Sequence, residues 1–292
     1  MLTWATTPYL AELEKTYEAS QFLDARVTFV TERQIRNGRL DRFKLLLVPA
    51  VRNVPADVVE RIWGYAAAGG RVLIVPESFL GDEYNRQRDF LERLGVTVVK
   101  TERPKTGSIG GMAQGYDQSF SQDVTLVDNV RVGIKPAPGS GLAVAGSVEV
   151  QGVRQSLRVG PGAAPLFQFP DGSAAIVRTA VGKGAVYYSA GSLEARSYAR
   201  VLDALFTDAG VTRPVRVRSA DGKETWQIEC RLAESGGRRL LYVVNFQDQP
   251  VRLKLSAPEG FFRSLRDLRG AGETRVTEIS LEAGRTGIYE MF

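Results

Sequence analysis

The sequence predicts an α/β domain followed by a small antiparallel β-sandwich, and three features carry that expectation. Leu45 to Pro49 and Val72 to Pro76 are continuous apolar runs on either side of a helical stretch, Pro55 to Ala68. Unbroken apolar runs, rather than alternating ones, are what strands show when helices cover both faces of their sheet. A right-handed crossover makes the two strands parallel, which places any chemistry outside their carboxyl ends. From Pro214 onward only short strand patterns separated by turns remain, the spacing of a sandwich.

The elements follow in order. Pro8 to Leu23 is an amphipathic helix with Leu10, Leu13, Tyr17 and Phe22 on one side, and Pro8 suits its first turn. Ala25 to Thr31 reads as a strand, and a polar stretch leads to Phe43. After the βαβ unit, whose helix stops at Gly69-Gly70, Glu83 to Leu94 reads as a third helix closed by Gly95. Val96 to Val99 reads as a strand. Eleven glycines between Thr106 and Gly162 are too many for helices. The stretch of about 101–165 is therefore expected to be a β-rich insert, with strands at Val124–Val127, Leu142–Ala145 and Gln155–Val159. Gly182-Lys183-Gly184 makes a hairpin turn between Ala174–Val177 and Ala185–Ser189, and Leu193 to Ala209 is a helix. The domain boundary falls near Gly210 to Pro214, giving domains of 1–212 and 213–292. The second holds strands at Val215–Arg218, Thr225–Leu232, Arg239–Asn245, Val251–Leu255, Ser264–Asp267, Arg275–Ile279 and Gly287–Met291. A sheet of this type has a strand before its first helix. Leu2 to Thr6, or a partner chain, is expected to fill that place.

Composition narrows the function. A chain of 292 residues with 43% apolar content can bury a sizeable core. The net charge of +5 is spread along the chain without a basic stripe, which argues against nucleic acid as a partner. The lone Cys230 excludes an internal disulfide and a cysteine zinc cluster, and its alternating strand context reads as packing. With no histidine, His-dependent triads and His-ligated metals are gone, leaving carboxylates, Tyr, Lys and Arg as possible catalysts. No metal and no cofactor is implied. Residues 1–20 lack a basic start with an apolar core, and no run of about 18 apolar residues could span a membrane. A cytoplasmic location and no membrane partner are expected.

Three stretches then carry a resemblance: PYLAELEKTYEASQFLDARVTFVTERQI, LDRFKLLLVPAVRNVPADVVERIWGYAAAGGRVLIVPES and GKGAVYYSAGSLEARSYARVLDALFTDAGV. Together they resemble the amidotransferase-like (trimerisation) domain of family 42 β-galactosidase-like glycoside hydrolases. The tail, ending LEAGRTGIYEMF, is similar to the small β-domain that closes such enzymes. The resemblance covers most of the chain apart from the glycine-rich insert. It implies a flavodoxin-like, class I glutamine amidotransferase-like fold and a carbohydrate-related role. It also implies assembly as a homo-oligomer, a trimer or dimer, with the faces around the insert as the contact surface. It brings no catalytic residue. The family's acid and nucleophile are glutamates on a preceding (β/α)8 barrel of about 250 residues, with no counterpart here. Where amidotransferases place a cysteine on the elbow after a central strand, this chain has Ala50-Val51 and Glu77-Ser78.

Glu77, Asp82 and Glu83 are the carboxylates at a predicted strand end. Glycoside hydrolysis needs two carboxyl groups, about 5–5.5 Å apart for retention or about 6.5–9.5 Å for inversion. The competing reading has Asp82 capping the next helix and Glu83 favouring its positive end. A buried acid such as Glu77 is costly unless paired, and Arg52 or Arg86 is the expected partner. Arg52, Asn53, Tyr84 and Arg86 are candidate substrate-binding residues. Tyr84 and Arg86, with Tyr116 and Trp4, would form a sugar platform of aromatic faces and planar donors, or pack as ordinary partly buried groups. Gly107-Ser-Ile-Gly-Gly111 lacks the Lys-Ser/Thr ending of a phosphate loop, and Trp63 reads as core. The favoured function is a non-catalytic module that assembles or shapes a hydrolase. A stand-alone glycosidase using the carboxylates near Glu77 and a sugar-binding protein are the alternatives.

Overall fold

Helix α1 (Pro8–Gln21) and the short α2 (Glu32–Arg36) open the computed structural model, which describes residues 8–104, 124–221, 225–270, 273–274 and 278–292. The chain divides into two units, one of Phe29–Val211 with the residues up to Tyr17, the other of Glu18–Thr28 with Thr212–Phe292.

In the first unit, β1 (Leu45–Val48), α3 (Ala56–Ala68) and β2 (Arg71–Ile74) form the expected crossover, with the strands parallel from Leu45↔Arg71 to Val48↔Ile74. Val58, Val59, Ile62, Tyr65 and Ala66 make the buried stripe of α3, the i, i+3, i+4, i+7 spacing of a helix on a sheet. After β2 come β3 (Val96–Pro104), β4 (Val124–Val127), β5 (Arg131–Pro136), β6 (Val148–Val159), β7 (Ala163–Gln168), β8 (Ala174–Val181), β9 (Gly184–Ser189) and β10 (Gly191–Leu193). Helix α4 (Ala195–Asp208) closes the unit. The strands make one ten-stranded mixed sheet, in the order β1-β2-β9-β8-β7-β5-β6-β3-β4 with β10 on β6. β2 and β9 are parallel, with Ile74 opposite Tyr188. The tight turn at Gly182-Lys183 folds β8 back antiparallel to β9. Gly184 is required there, because a Cβ would lie 2.2 Å from the carbonyl oxygens of Ala66 and Gly70.

Three expected elements differ. Residues 26–31 form no strand; Thr31 instead caps α2, accepting from Gln34 N–H while the Gln34 side chain accepts from Thr31 N–H. Leu142–Ala145 is irregular. Glu83–Leu94 is not a helix: a turn and an isolated bridge lead to a 3-10 segment at Phe90–Leu94. Leu2–Thr6 lies outside the described residues, among which β1 is the edge of the sheet.

The second unit carries β11 (Arg216–Ser219), β12 (Ile228–Ser235), β13 (Arg238–Asn245), β14 (Val251–Ser256), β15 (Leu265–Asp267), β16 (Glu273–Thr274), β17 (Glu278–Leu281) and β18 (Thr286–Met291). They form two antiparallel sheets, β11-β14-β17 and β12-β13-β18-β15-β16. Val217, Leu253, Leu255, Ile279 and Leu281 of the first share one core with Cys230, Leu241, Val243, Tyr289 and Met291 of the second. Alternation along each strand produces this, polar residues facing out. Burial pushes the Cys230 thiol up to about 12, so it packs as a small apolar group. Asp24 ties the segment Glu18–Thr28 to this unit. It pairs with Arg216 at 3.0 Å and Arg213 at 3.7 Å and accepts Val217 N–H. Among the described residues no helix is long and apolar enough to cross a membrane.

Candidate functional site

Beyond β1 and β2 the pairing continues through irregular loops. Phe79 N–H donates to Val51 O (2.9 Å), Gly81 N–H to Arg52 O (3.1 Å) and Val54 N–H to Gly81 O (3.0 Å). Arg88 N–H donates to Leu80 O, bringing the following segment back along the same edge. Four of the five described non-glycine residues with left-handed backbones lie here: Ala50 (φ 46°), Glu77 (φ 67°), Phe79 (φ 59°) and Asn85 (φ 61°). Such conformations cost on the order of 1–3 kcal/mol each and persist where the surroundings over-determine them.

Glu77 is one reason they persist. It lies three residues beyond the end of β2, is 2% exposed, and its Oε1 accepts from Arg103 Nη2 on β3. Beside it Tyr188, at the end of β9, donates its hydroxyl to Gln155 Oε1 on β6, and Gln155 Nε2 donates to Thr101 Oγ1 at 3.3 Å. Burial, with the negative Glu77 adding to it, drives the Tyr188 hydroxyl far above the usual phenol value. The group joins the parallel strands β2 and β9 to the antiparallel β3 and β6. The arginine that meets Glu77 is therefore Arg103, 26 positions along the chain.

Arg86 goes elsewhere. Asp82 is 3% exposed, and its Oδ1 accepts the N–H groups of Tyr84 and Arg86, both at 2.9 Å. Its Oδ2 accepts from Arg86 Nε at 2.7 Å and has Arg88 Nη2 at 3.5 Å. Asp82 thus caps a turn and not a helix. Burial pushes its carboxyl up, but the Arg86 and Tyr84 N–H groups and the Arg86 guanidinium outweigh burial and hold it below the ordinary value. Glu83 is exposed. Tyr84 is 72% exposed with the Arg86 guanidinium 5.0 Å over its ring, and Asn53 Nδ2 donates to Asn85 Oδ1 at 3.1 Å. Arg52 is half-buried on the same strand end. Trp4, Tyr116 and Gly107–Gly111 lie outside the described residues. Trp63 is half-buried on α3, edge-on to Phe90 and under Arg93.

The loops thus bring Glu77, Asp82, Glu83, Tyr84, Arg86, Arg52 and Asn53 to one end of the sheet, with both buried carboxylates on arginines. Sequence reasoning missed Arg103, Tyr188, Gln155 and Thr101. The signal for them was polar residues inside otherwise apolar or alternating strands.

No family model matches the chain. Over 224 residues it is 25% identical to the beta-galactosidase BglY of Alicyclobacillus acidocaldarius, covering 75% of this chain and 29% of that protein. Among solved structures it is similar to Gan42B, a GH42 beta-galactosidase from G. stearothermophilus (TM-score 0.70, 17% identity, 100% of this chain and 37% of that one). It is also similar to the beta-galactosidase of Rahnella sp. R3 (TM-score 0.72, 17% identity, 98% and 37%). A third is that of Bacillus circulans sp. alkalophilus (TM-score 0.70, 16% identity, 99% and 38%). The chain spans about a third of the length of these proteins. It is related in sequence to a β-galactosidase and shares its fold with a segment of the GH42 enzymes.

Proposed function

We propose that this chain is a non-catalytic assembly module of a β-galactosidase-like glycoside hydrolase, an amidotransferase-like (flavodoxin-like) domain carrying a small β-sandwich. In this reading it associates with itself, as a trimer or dimer, and its partner is the catalytic domain of a hydrolase. The faces around the glycine-rich insert supply the self-contact. The observation that carries the reading is the state of the strand-end carboxylates. Glu77 is buried against Arg103, and Asp82 is spent on its own turn and on Arg86. A glycosidase acid must hold a proton near neutral pH, and Asp82, held below the ordinary carboxylate value, does not.

The test is turnover by the purified chain on a panel of aryl glycosides. The expected rate equals the enzyme-free rate. Hydrolysis abolished by Glu77→Gln in a protein that still melts like the parent would overturn the proposal and restore the glycosidase reading.

A further inference from the structure

A second surface, within the C-terminal unit, has the make-up of a ligand platform. The rings of Phe22 and Trp226 meet edge to face at 4.9 Å, and Phe246 lies 6.0 Å from Phe22. Phe246 is 55% exposed, so the cluster is not sealed as a core. Its frame is rigid. The two Nδ2 hydrogens of buried Asn245 are shared among the carbonyls of Gln249 (2.9 Å), Leu281 (3.3 Å) and Glu282 (3.0 Å), and its Oδ1 accepts Gln247 N–H. Gln247 Nε2 donates to Trp226 O at 2.7 Å, and Phe246 N–H to Gln227 O at 3.0 Å. Gln227 is exposed and holds a left-handed backbone at φ 65°, a conformation that costs a glutamine and would suit glycine. Seating Phe22 on the sheet explains two of the rings. It explains neither the outward Phe246 nor the exposed Gln227 beside it, with its left-handed backbone.

We propose that the Phe246–Trp226–Gln227 surface binds a neutral oligosaccharide, the Phe246 face taking the C–H face of one pyranose and the Gln227 carboxamide its hydroxyls. The ligand class rests on the relation to β-galactosidases used above; the assembly role does not depend on it. An exposed aromatic in a pre-ordered frame loses little conformational freedom on binding, and carboxamides both donate to and accept from hydroxyls. A sugar held here would tether the protein to its polymer without any chemistry.

Calorimetric titration of the purified chain with galacto-, cello- and manno-oligosaccharides tests this. Saturable binding of at least one series is expected. Phe246→Ala and Gln227→Gly are each expected to weaken it about tenfold or more. Gln227→Gly melts no lower than the parent, because glycine accepts the backbone, and so still reports if Phe246→Ala fails to fold. Absence of binding in all three series, or undiminished affinity in Gln227→Gly, overturns the proposal. So does a change of molar mass in Phe246→Ala without loss of sugar binding, which would make the face a protein contact. Light scattering of the parent chain reports on assembly separately, so the two readings fail independently.

Discussion

Glu77 and Arg103 meet in a buried ion pair although one follows β2 and the other lies on β3, strands in different parts of the mixed sheet. Glu77 lies in the loop three residues beyond the parallel strand β2; Arg103 stands near the end of β3, which pairs antiparallel with β6. Neither charge can be removed alone without leaving the other buried and short of its opposite charge. Loss of one partner of such a pair costs about 3–5 kcal/mol, whereas replacing both can be nearly neutral. Glu77→Gln and Arg103→Met are each expected to lower the urea midpoint strongly. The double variant should lie well above the sum of the two losses. A Glu77→Gln protein as stable as the parent would contradict the structural role.

Asp82 makes a prediction in acid. Its folded-state carboxyl is held below the ordinary value of about 3.8, so its contribution to stability is present above that value and is lost as pH falls through the lower folded value. Asp82→Asn should therefore melt below the parent at pH 7, and the gap should close as the pH is brought below about 3.8. A gap that widens in acid would mean the carboxyl is held above its ordinary value instead.

Gly184 tests the packing of the hairpin under α3. A methyl group there would overlap the Ala66 and Gly70 carbonyls, which can move only with the helix end and the strand. Overpacking of this kind costs about 1–3 kcal/mol. Gly184→Ala should lower the melting temperature, while Gly64→Ala, in open space on the same helix, should leave it unchanged or raise it.

The chemistry that each element shows in its own residues was legible in the sequence. The unbroken leucine run of β1, the apolar run of β2 and the 3.6-residue spacing of α3 gave the crossover. Gly182-Lys183 gave the hairpin, and alternation gave the C-terminal strands to within a few residues. The segment Glu83–Leu94 misled because it has helical composition. Asp82, however, takes the N–H groups of Tyr84 and Arg86 into a turn, and Asn85 adopts a left-handed backbone that stops a helix. The partner of Glu77 was hidden for another reason. Arg103 is brought to it by the course of β3 through the sheet, and no local spacing records that.

The proposed role as an assembly module is tested most directly by the molar mass of the purified chain, measured by light scattering over a tenfold range of concentration. The account predicts a stable mass two or three times that of the 32.0 kDa chain. A value of 32.0 kDa across the whole range would contradict it.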